Sequence, residues 1–387
     1  MQNASQNKRM SLRNWMENPT FRLLVAVIGL ALLLGAMWYS VRFMSNEDTP
    51  KWATAFVALF VGTFGAAAFF YFSDNLVGNL PGRVAHALRP YVFIGPALLL
   101  LGFFLVYPAV STISLSFQNR DSSAFVGLQN YIKAFSNSDF LLIFRNNLLW
   151  MITVTFFSVA FGLLIAVLAD RVKGESIVKS LIFMPMAISS VGASVIWRFV
   201  YYYQPAGREQ IGLLNAIVTG LGGEPVAWIT KREATIPLVT NFLAPLGVDI
   251  TFPLNTFLLI IIMIWMQTGF AMVVISAAVK GVPSELLEAA RIDGAREMQV
   301  FFKIILPSIR PTILTVVTTI VILVLKVFDI VFVMTSGQFD TQVIANEMYL
   351  QMFKWRDFGM GSALAVILFI AVIPIIVNNI RSWQKER

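Results

Sequence analysis

Cysteine is absent from the 387-residue chain, which excludes disulfides and thiolate metal sites and leaves the redox compartment unmarked. Charge is scarce as well. Asp, Glu, Lys and Arg make up 13% of residues against 57% hydrophobic, and the mean hydropathy is +0.74. That balance excludes an ordinary soluble globular domain. Histidine occurs once, as His86 between Arg83 and Arg89, with no second ligand beside it to form a metal site. Neither a phosphate-binding GxxxxGK(S/T) nor an HExxH is present, and no histidine is placed to serve a nucleophile. The chain is therefore not expected to hydrolyse ATP or to act as an enzyme on its own. No internal repeat or low-complexity tract is evident.

Apolar runs are what the chain has in abundance. About 20 such residues cross roughly 30 Å of hydrocarbon, and candidate spans fall at about 21–44, 52–72, 91–110, 148–169, 181–201, 252–278, 311–335 and 362–380. Eight spans place both termini on one side. The first exceeds a signal-peptide core in length and lacks a clear small-residue cleavage site, so it is expected to be retained. Segments 1–22, 73–90, 170–180, 280–310 and 381–387 hold 17 Lys and Arg in 89 residues, against 9 in 120 for the four segments opposite. The dense side, with both termini, is expected to be cytoplasmic. Most of the +8 net charge is then a topology signal and needs no nucleic-acid partner to explain it.

Two N-terminal spans are joined by the turn-forming linker 45–51, and a Gly/Pro-rich connection, 78–90, leads to six more. Residues 1–90 are expected to form a tail and two accessory helices, and 91–387 a six-helix core. The long external loops at 111–147 and 202–251 contain Gly, Pro and aromatic residues and are expected to hold short packed helices.

Between Pro283 and Pro307 a short charged stretch, PSELLEAARIDGAREMQVFFKIILP, interrupts apolar sequence. Pro283 and Ser284 supply a helix start, and Glu285 and Glu288 suit the positive end of the helix dipole. Gly294 can take the left-handed conformation that ends this helix. Ala295 to Ile305 then restarts as an amphipathic helix, giving a helix-turn-helix at the membrane surface. Leu286, Leu287, Ile292, Phe301 and Phe302 are apolar candidates for a groove or for the bundle, and Glu288, Arg291, Asp293 and Arg296 are left for polar pairing. The residues alone also allow an amphipathic surface helix with no partner. The spacing of Glu288, Ala289, Ala290, Gly294, Ile304, Leu306 and Pro307 resembles the EAA loop of ABC importer permeases. By that resemblance Glu288, Ala289, Ala290, Arg291, Asp293, Gly294 and Pro307, within a loop at 280–310, form the contact with an ATPase subunit.

Further segments narrow the resemblance. Phe125 to Tyr131 reads FVGLQNY, similar to the VGL(E/Q)NY segment of maltose-type sugar permeases. Asn146-Asn147, Phe328-Asp329, Thr335-Ser336-Gly337, Asp357-Phe358-Gly359 and Ser362-Ala363-Leu364 agree with it. The resemblance covers roughly 90–387. Runs 181–201, 265–270 and 326–349 look most like the α-glucoside importers and their glucosylglycerol-importing relatives. Extra residues around 235–252 depart from that subgroup, and the large external domain of some relatives is absent.

The resemblance implies an all-α membrane protein with the type I ABC importer permease fold: about eight transmembrane helices, six in the core and two added at the N-terminus. It implies a bacterial cytoplasmic (inner) membrane location and import of an α-linked oligosaccharide or glucoside of the trehalose, maltose, sucrose or glucosylglycerol type. The implied partners are a second homologous permease, two cytosolic ATPase subunits, an extracytoplasmic sugar-binding protein, the sugar and membrane lipid. No cofactor is expected on this chain, ATP and Mg being bound by the ATPase. Trp265, Met266, Gln267 and Phe270 mix aromatic and amide groups about halfway through the sixth span, and in maltose-type permeases Met266, Gln267 and Phe270 fall at substrate-lining positions. Gln267 equally suits a hydrogen bond between helices. Lys326 and Asp329, read as one turn apart on a continuous seventh helix, are expected to pair inside the bundle in its outer half, as substrate-lining candidates near an external gate; a structural ion pair, or a lysine snorkelling to the outer interface, is the alternative. Arg198 is expected to snorkel to the outer interface. An ABC permease for another solute, or a secondary transporter, is the alternative; Asp329 is the one clear intramembrane acid for the latter.

Overall fold

The computed structural model describes residues 19–169, 173–205, 207–231 and 253–385, with side chains over 20–377 of these. The tail before Pro19, the extra residues at 235–252 and residues 386–387 lie outside the described residues. Two compact units divide the chain, Met1–Val110 and Ser111–Arg387.

The first unit holds α1 (Pro19–Met44) and α2 (Lys51–Gly78), and most of α3 (Gly82–Leu115). The 45–51 linker is the expected turn, in which the Thr49 hydroxyl donates to the Phe43 carbonyl at 2.9 Å. α1 and α2 meet where Gly29 makes room for a ring: a Cβ there would lie 2.3 Å from Phe72 Cε1. The connection expected at 78–90 is helical from Gly82 onward, with Pro90 accommodated inside α3, and Arg89 on that helix pairs with Asp74 at 3.3 Å. These helices turn apolar side chains outward almost all round, as lipid-facing segments do.

The second unit continues with α4 (Gln129–Ser136), α5 (Ser138–Ala169), α6 (Glu175–Phe183), α7 (Ser190–Val200) and α8 (Leu213–Gly220). It then has α9 (Leu254–Lys280), α10 (Ser284–Ile292), α11 (Glu297–Ser308), α12 (Arg310–Leu325), α13 (Asp329–Met334), α14 (Ile344–Tyr349) and α15 (Phe358–Lys385). Among the described residues six helices are long and apolar enough to span a bilayer, or eight when each bent pair counts as one span. That matches the eight spans expected. The bent pairs are α6 with α7, at 101°, and α11 with α12, at 66°. Each bend has a sequence cause. Pro185 sits in the 3-10 turn Met184–Ala187 that closes α6, and the Ser189 hydroxyl caps α7 by accepting from the Gly192 N–H at 3.0 Å. Pro307 cannot donate to the preceding turn, and the backbone widens to a π turn over Phe301–Ile305 just before it.

α9 is the central post, packed along its length against α5. Small residues let the backbones approach: a Cβ on Gly162 of α5 would fall 2.5 Å from Ala271 Cβ and 2.9 Å from Met272 N of α9. Trp150, Val154, Leu259, Ile262, Met272, Ile275 and Ile320 form the buried core around this contact. The loops at 111–147 and 202–231 do carry short helices, α4 and α8. The second loop is organised by buried Asn215, which donates to the Tyr202 and Val226 carbonyls at 3.1 and 3.0 Å and accepts from the Trp228 indole at 3.0 Å.

The seventh expected span is not one helix. α12 stops at Leu325, Lys326 and Val327 close tight turns onto Leu323 and Val324, and Phe328 leaves the helical region with φ −135° before α13 begins at Asp329. Asn147 supports the break, its amide donating to the Leu325 carbonyl at 3.3 Å. Lys326 and Asp329 therefore do not share a helix face. Both are exposed, and neither pairs with the other.

Candidate coupling segment and solute-facing residues

Residues 283–308 form the helix-turn-helix read from the sequence. Pro283, with φ −56° and ψ 129°, stands at the N-cap of α10, and Ser284 is the first helical residue, with no side-chain cap made. Gly294 has φ +81°, the left-handed geometry expected. The Gly294 N–H reaches the Arg291 carbonyl and the Ala295 N–H the Ala290 carbonyl, each at 3.0 Å, so the end of α10 is closed by backbone. α11 begins where the Arg296 N–H donates to Gln299 Oε1 at 2.8 Å. Arg291, expected to be left for polar pairing with a partner, pairs here with Glu297 across the turn at 3.0 Å, both side chains about half exposed. No residue of α10 is buried. Leu286 is 52% and Ile292 86% exposed, while Leu287 and Phe301 are half-buried against the chain. Glu288 and Asp293 are exposed and make no ion pair among the described residues. Ala289 is exposed and Ala290 half-buried; Pro307 sits at the π turn that ends in the α11–α12 bend. The segment thus projects a ridge with both apolar and acidic groups uncovered.

The solute-facing candidates separate in space. Met266 and Gln267 are buried, and Gln267 Oε1 has no hydrogen-bond partner although the residue is only 9% exposed. Trp265 and Phe270 are half-buried, and the Trp265 ring meets Trp197 of α7 edge-on at 5.8 Å. Gly269, between them, lets α6 touch α9: a Cβ there would lie 2.5 Å from the Ile182 carbonyl oxygen. Lys326 lies apart, lining a cavity of about 520 Å³ with Ile322, Phe328, Tyr349, Leu368 and Phe369. Asp329 opens α13, which packs on α7 and α9. Arg198 is exposed near the end of α7.

Sequence reasoning did not anticipate the polar clamp at the end of the unit that carries residues 336–357. Asn146 is fully buried and donates to the Asp340 and Gln342 carbonyls at 2.7 and 2.9 Å. Asn147 accepts from the Ile344 N–H at 2.7 Å, and Asn255 donates to the Phe339 carbonyl at 2.6 Å. Asn130 of the FVGLQNY run donates to the Ser116 and Gln118 carbonyls at 2.9 and 2.8 Å. A Cβ on Gly359 would meet that same Gln118 oxygen at 2.2 Å. Motifs more than 200 residues apart are thereby parts of one scaffold. The loop they hold is strained, with positive φ at Ser336, Gly337, Phe339 and Asp340. Beside it a cavity of about 540 Å³ is lined by Lys133, Asp139, Gln338, Gln342, Glu347 and Trp355. Glu347 is buried there with its carboxylate accepting from Gln342 and Gln351 at 2.6 and 2.7 Å, and burial pushes its carboxyl above the ordinary range.

A bundle of spanning helices, two of them bent, with an uncovered helix-turn-helix at one end and a clamped polar loop at the other, is the architecture of a membrane transport subunit. The family described as binding-protein-dependent transport system inner membrane component matches residues 158–387, and the chain belongs to it. It is 53% identical over 295 residues to the osmoprotective compounds uptake permease protein GgtC of Synechocystis sp., covering 76% of this chain and 99% of that protein. It is 49% identical over 364 residues to the alpha-glucoside transport system permease protein AglF of Rhizobium meliloti, covering 94% and 98%. A chain of the bacterial alginate ABC transporter, solved in complex with an alginate pentasaccharide-bound periplasmic protein, superposes with TM-score 0.62 at 19% identity, covering 77% of this chain and 94% of that one. The fold is that of the type I ABC importer permeases.

Proposed function

We propose that this chain is the permease subunit of an ATP-driven importer for an α-linked glucoside or small oligosaccharide of the trehalose, maltose, sucrose or glucosylglycerol type. The observation that carries the reading is 49% identity to an alpha-glucoside permease across 94% of the chain, joined to an intact and uncovered helix-turn-helix at 283–308. Cytoplasmic termini follow from the lysine and arginine asymmetry. With that orientation α10 faces the cytosol, where an ATPase subunit binding ATP and Mg grips Leu286, Glu288 and Ile292. The clamped loop faces outward, toward a sugar-binding protein. A second homologous permease completes the path beside Trp265, Gln267 and Phe270. Closure of two ATPase subunits draws two such segments together and turns an inward-open cavity outward.

Purified binding protein titrated calorimetrically with trehalose, sucrose, maltose and glucosylglycerol should single out a glucoside, and vesicles holding the whole complex, with binding protein outside, should take that sugar up only with ATP inside, on the face that carries residues 283–308. Selective binding of an amino acid or phosphate, with no glucoside bound, would overturn the substrate assignment.

A further inference from the structure

Three charged groups meet at the end of the second unit that carries the coupling segment. Glu175 is the first residue of α6. Its Oε1 accepts from Lys179 Nζ at 2.6 Å and from Lys280 Nζ at 2.5 Å. Lys179 also donates to the Ser276 hydroxyl of α9. The side chains of Glu175 and Lys179 are 30% and 17% exposed and that of Lys280 is 53% exposed, so the pair on α6 is partly sheltered and the link to α9 borders solvent. One carboxylate oxygen between two ammonium groups does more than attract. It cancels the repulsion that the two lysines would otherwise exert on each other.

The cluster joins the start of α6 to the end of α9. Lys280 is the last residue of α9, and the joint Gly281-Val282-Pro283 leads straight into α10. That joint is held by backbone: Gly281 N–H to the Ala277 and Ala278 carbonyls at 3.2 and 3.1 Å, Val282 N–H to Val279 at 3.2 Å. At its other end α6 meets α9 again through the backbone contact that Gly269 permits, next to Gln267 and Phe270. The nine residues of α6 are thus fastened at one end to the coupling joint and at the other to the solute-facing run.

We propose that Glu175 is a positioning residue that straps α6 to the coupling joint, so that displacement of Ser284–Ile292 is carried along α6 to the Gly269 contact and the bend into α7. The inference rests on the transport reading above. In this arrangement Glu175 touches neither solute nor nucleotide. Without its charge, α10 still docks and the ATPase still turns over, but the motion reaches the solute-facing run incompletely.

The test uses the whole complex in proteoliposomes with its loaded binding protein, comparing sugar imported per ATP hydrolysed in wild type, Glu175→Gln and the charge-exchanged pair Glu175→Lys with Lys280→Glu. The exchanged pair keeps one carboxylate beside two ammonium groups. Glu175→Gln should lower the ratio about fivefold or more, within the usual size of a coupling interaction, with ATPase stimulation retained, and the exchanged pair should recover most of it. A ratio in Glu175→Gln equal to wild type overturns the proposal. Should that variant fail to accumulate, the exchanged pair decides alone: a wild-type ratio supports the strap, and a collapsed ratio in a folded complex overturns it. Failure of the transport reading has a different signature, namely wild-type vesicles with no ATPase bound and no uptake at all.

Discussion

Glycine carries the most positional information at the scale of single residues. Gly294 is required by conformation alone, since a side chain there would meet open space but φ +81° disfavours any L-residue with a branched Cβ. Gly294→Val should cost about 1–2 kcal/mol locally and re-aim α11, leaving the protein inserted but transport abolished, as uptake and membrane-fraction blots together would show. Gly269 is the opposite case, with ordinary conformation and no space. Gly269→Val should destabilise the unit by about 1–3 kcal/mol through overpacking against Ile182 and Phe183, read as a lower thermal midpoint in detergent. The sequence made the first glycine legible, because its helix stop depends on neighbours within a few residues. It could not reveal the second, whose constraint comes from a backbone 87 residues away. Lys326 and Asp329 were misread for a related reason: helical spacing assumes a continuous helix, and Asn147 on another element supports the break.

Elements are joined at the opposite end of the unit by asparagines set beside a small apolar cluster that includes Phe140, Ile143, Ile344, Met360 and Leu364. Asn147 satisfies the Leu325 carbonyl where α12 breaks and the Ile344 N–H where α14 starts. Asn147→Leu removes both bonds and leaves two buried backbone groups unpaired, at about 1–3 kcal/mol each. The expected result is a loop 336–344 cut by external protease in intact spheroplasts under conditions where wild type resists. The motifs that suggested the family, at 125–131, 146–147, 335–337 and 357–359, turned out to be pieces of this clamp. Their spacing in sequence marked a resemblance; only the fold shows that they touch. The helix count was legible from apolar length, and the two bends were legible only as proline positions, since the angle depends on what α9 and the π turn allow.

Across the whole molecule, a groove of about 830 Å³ lined by α5, α12 and α15 leaves apolar surface uncovered within the second unit, and the helices of the first unit expose apolar side chains of their own. The ridge of α10, with Ile292 86% exposed and Glu288 unpaired, asks for a partner in the aqueous phase. On the proposed function, this ridge is where an ATPase takes hold. The most direct measurement is to tag the chain, extract the membrane in mild detergent, and identify what co-purifies and in what ratio. A second permease and two ATPase copies are expected with wild type, and loss of the ATPase with Glu288→Lys. A stable, folded chain recovered without any ATPase across several gentle detergents would contradict the proposed function.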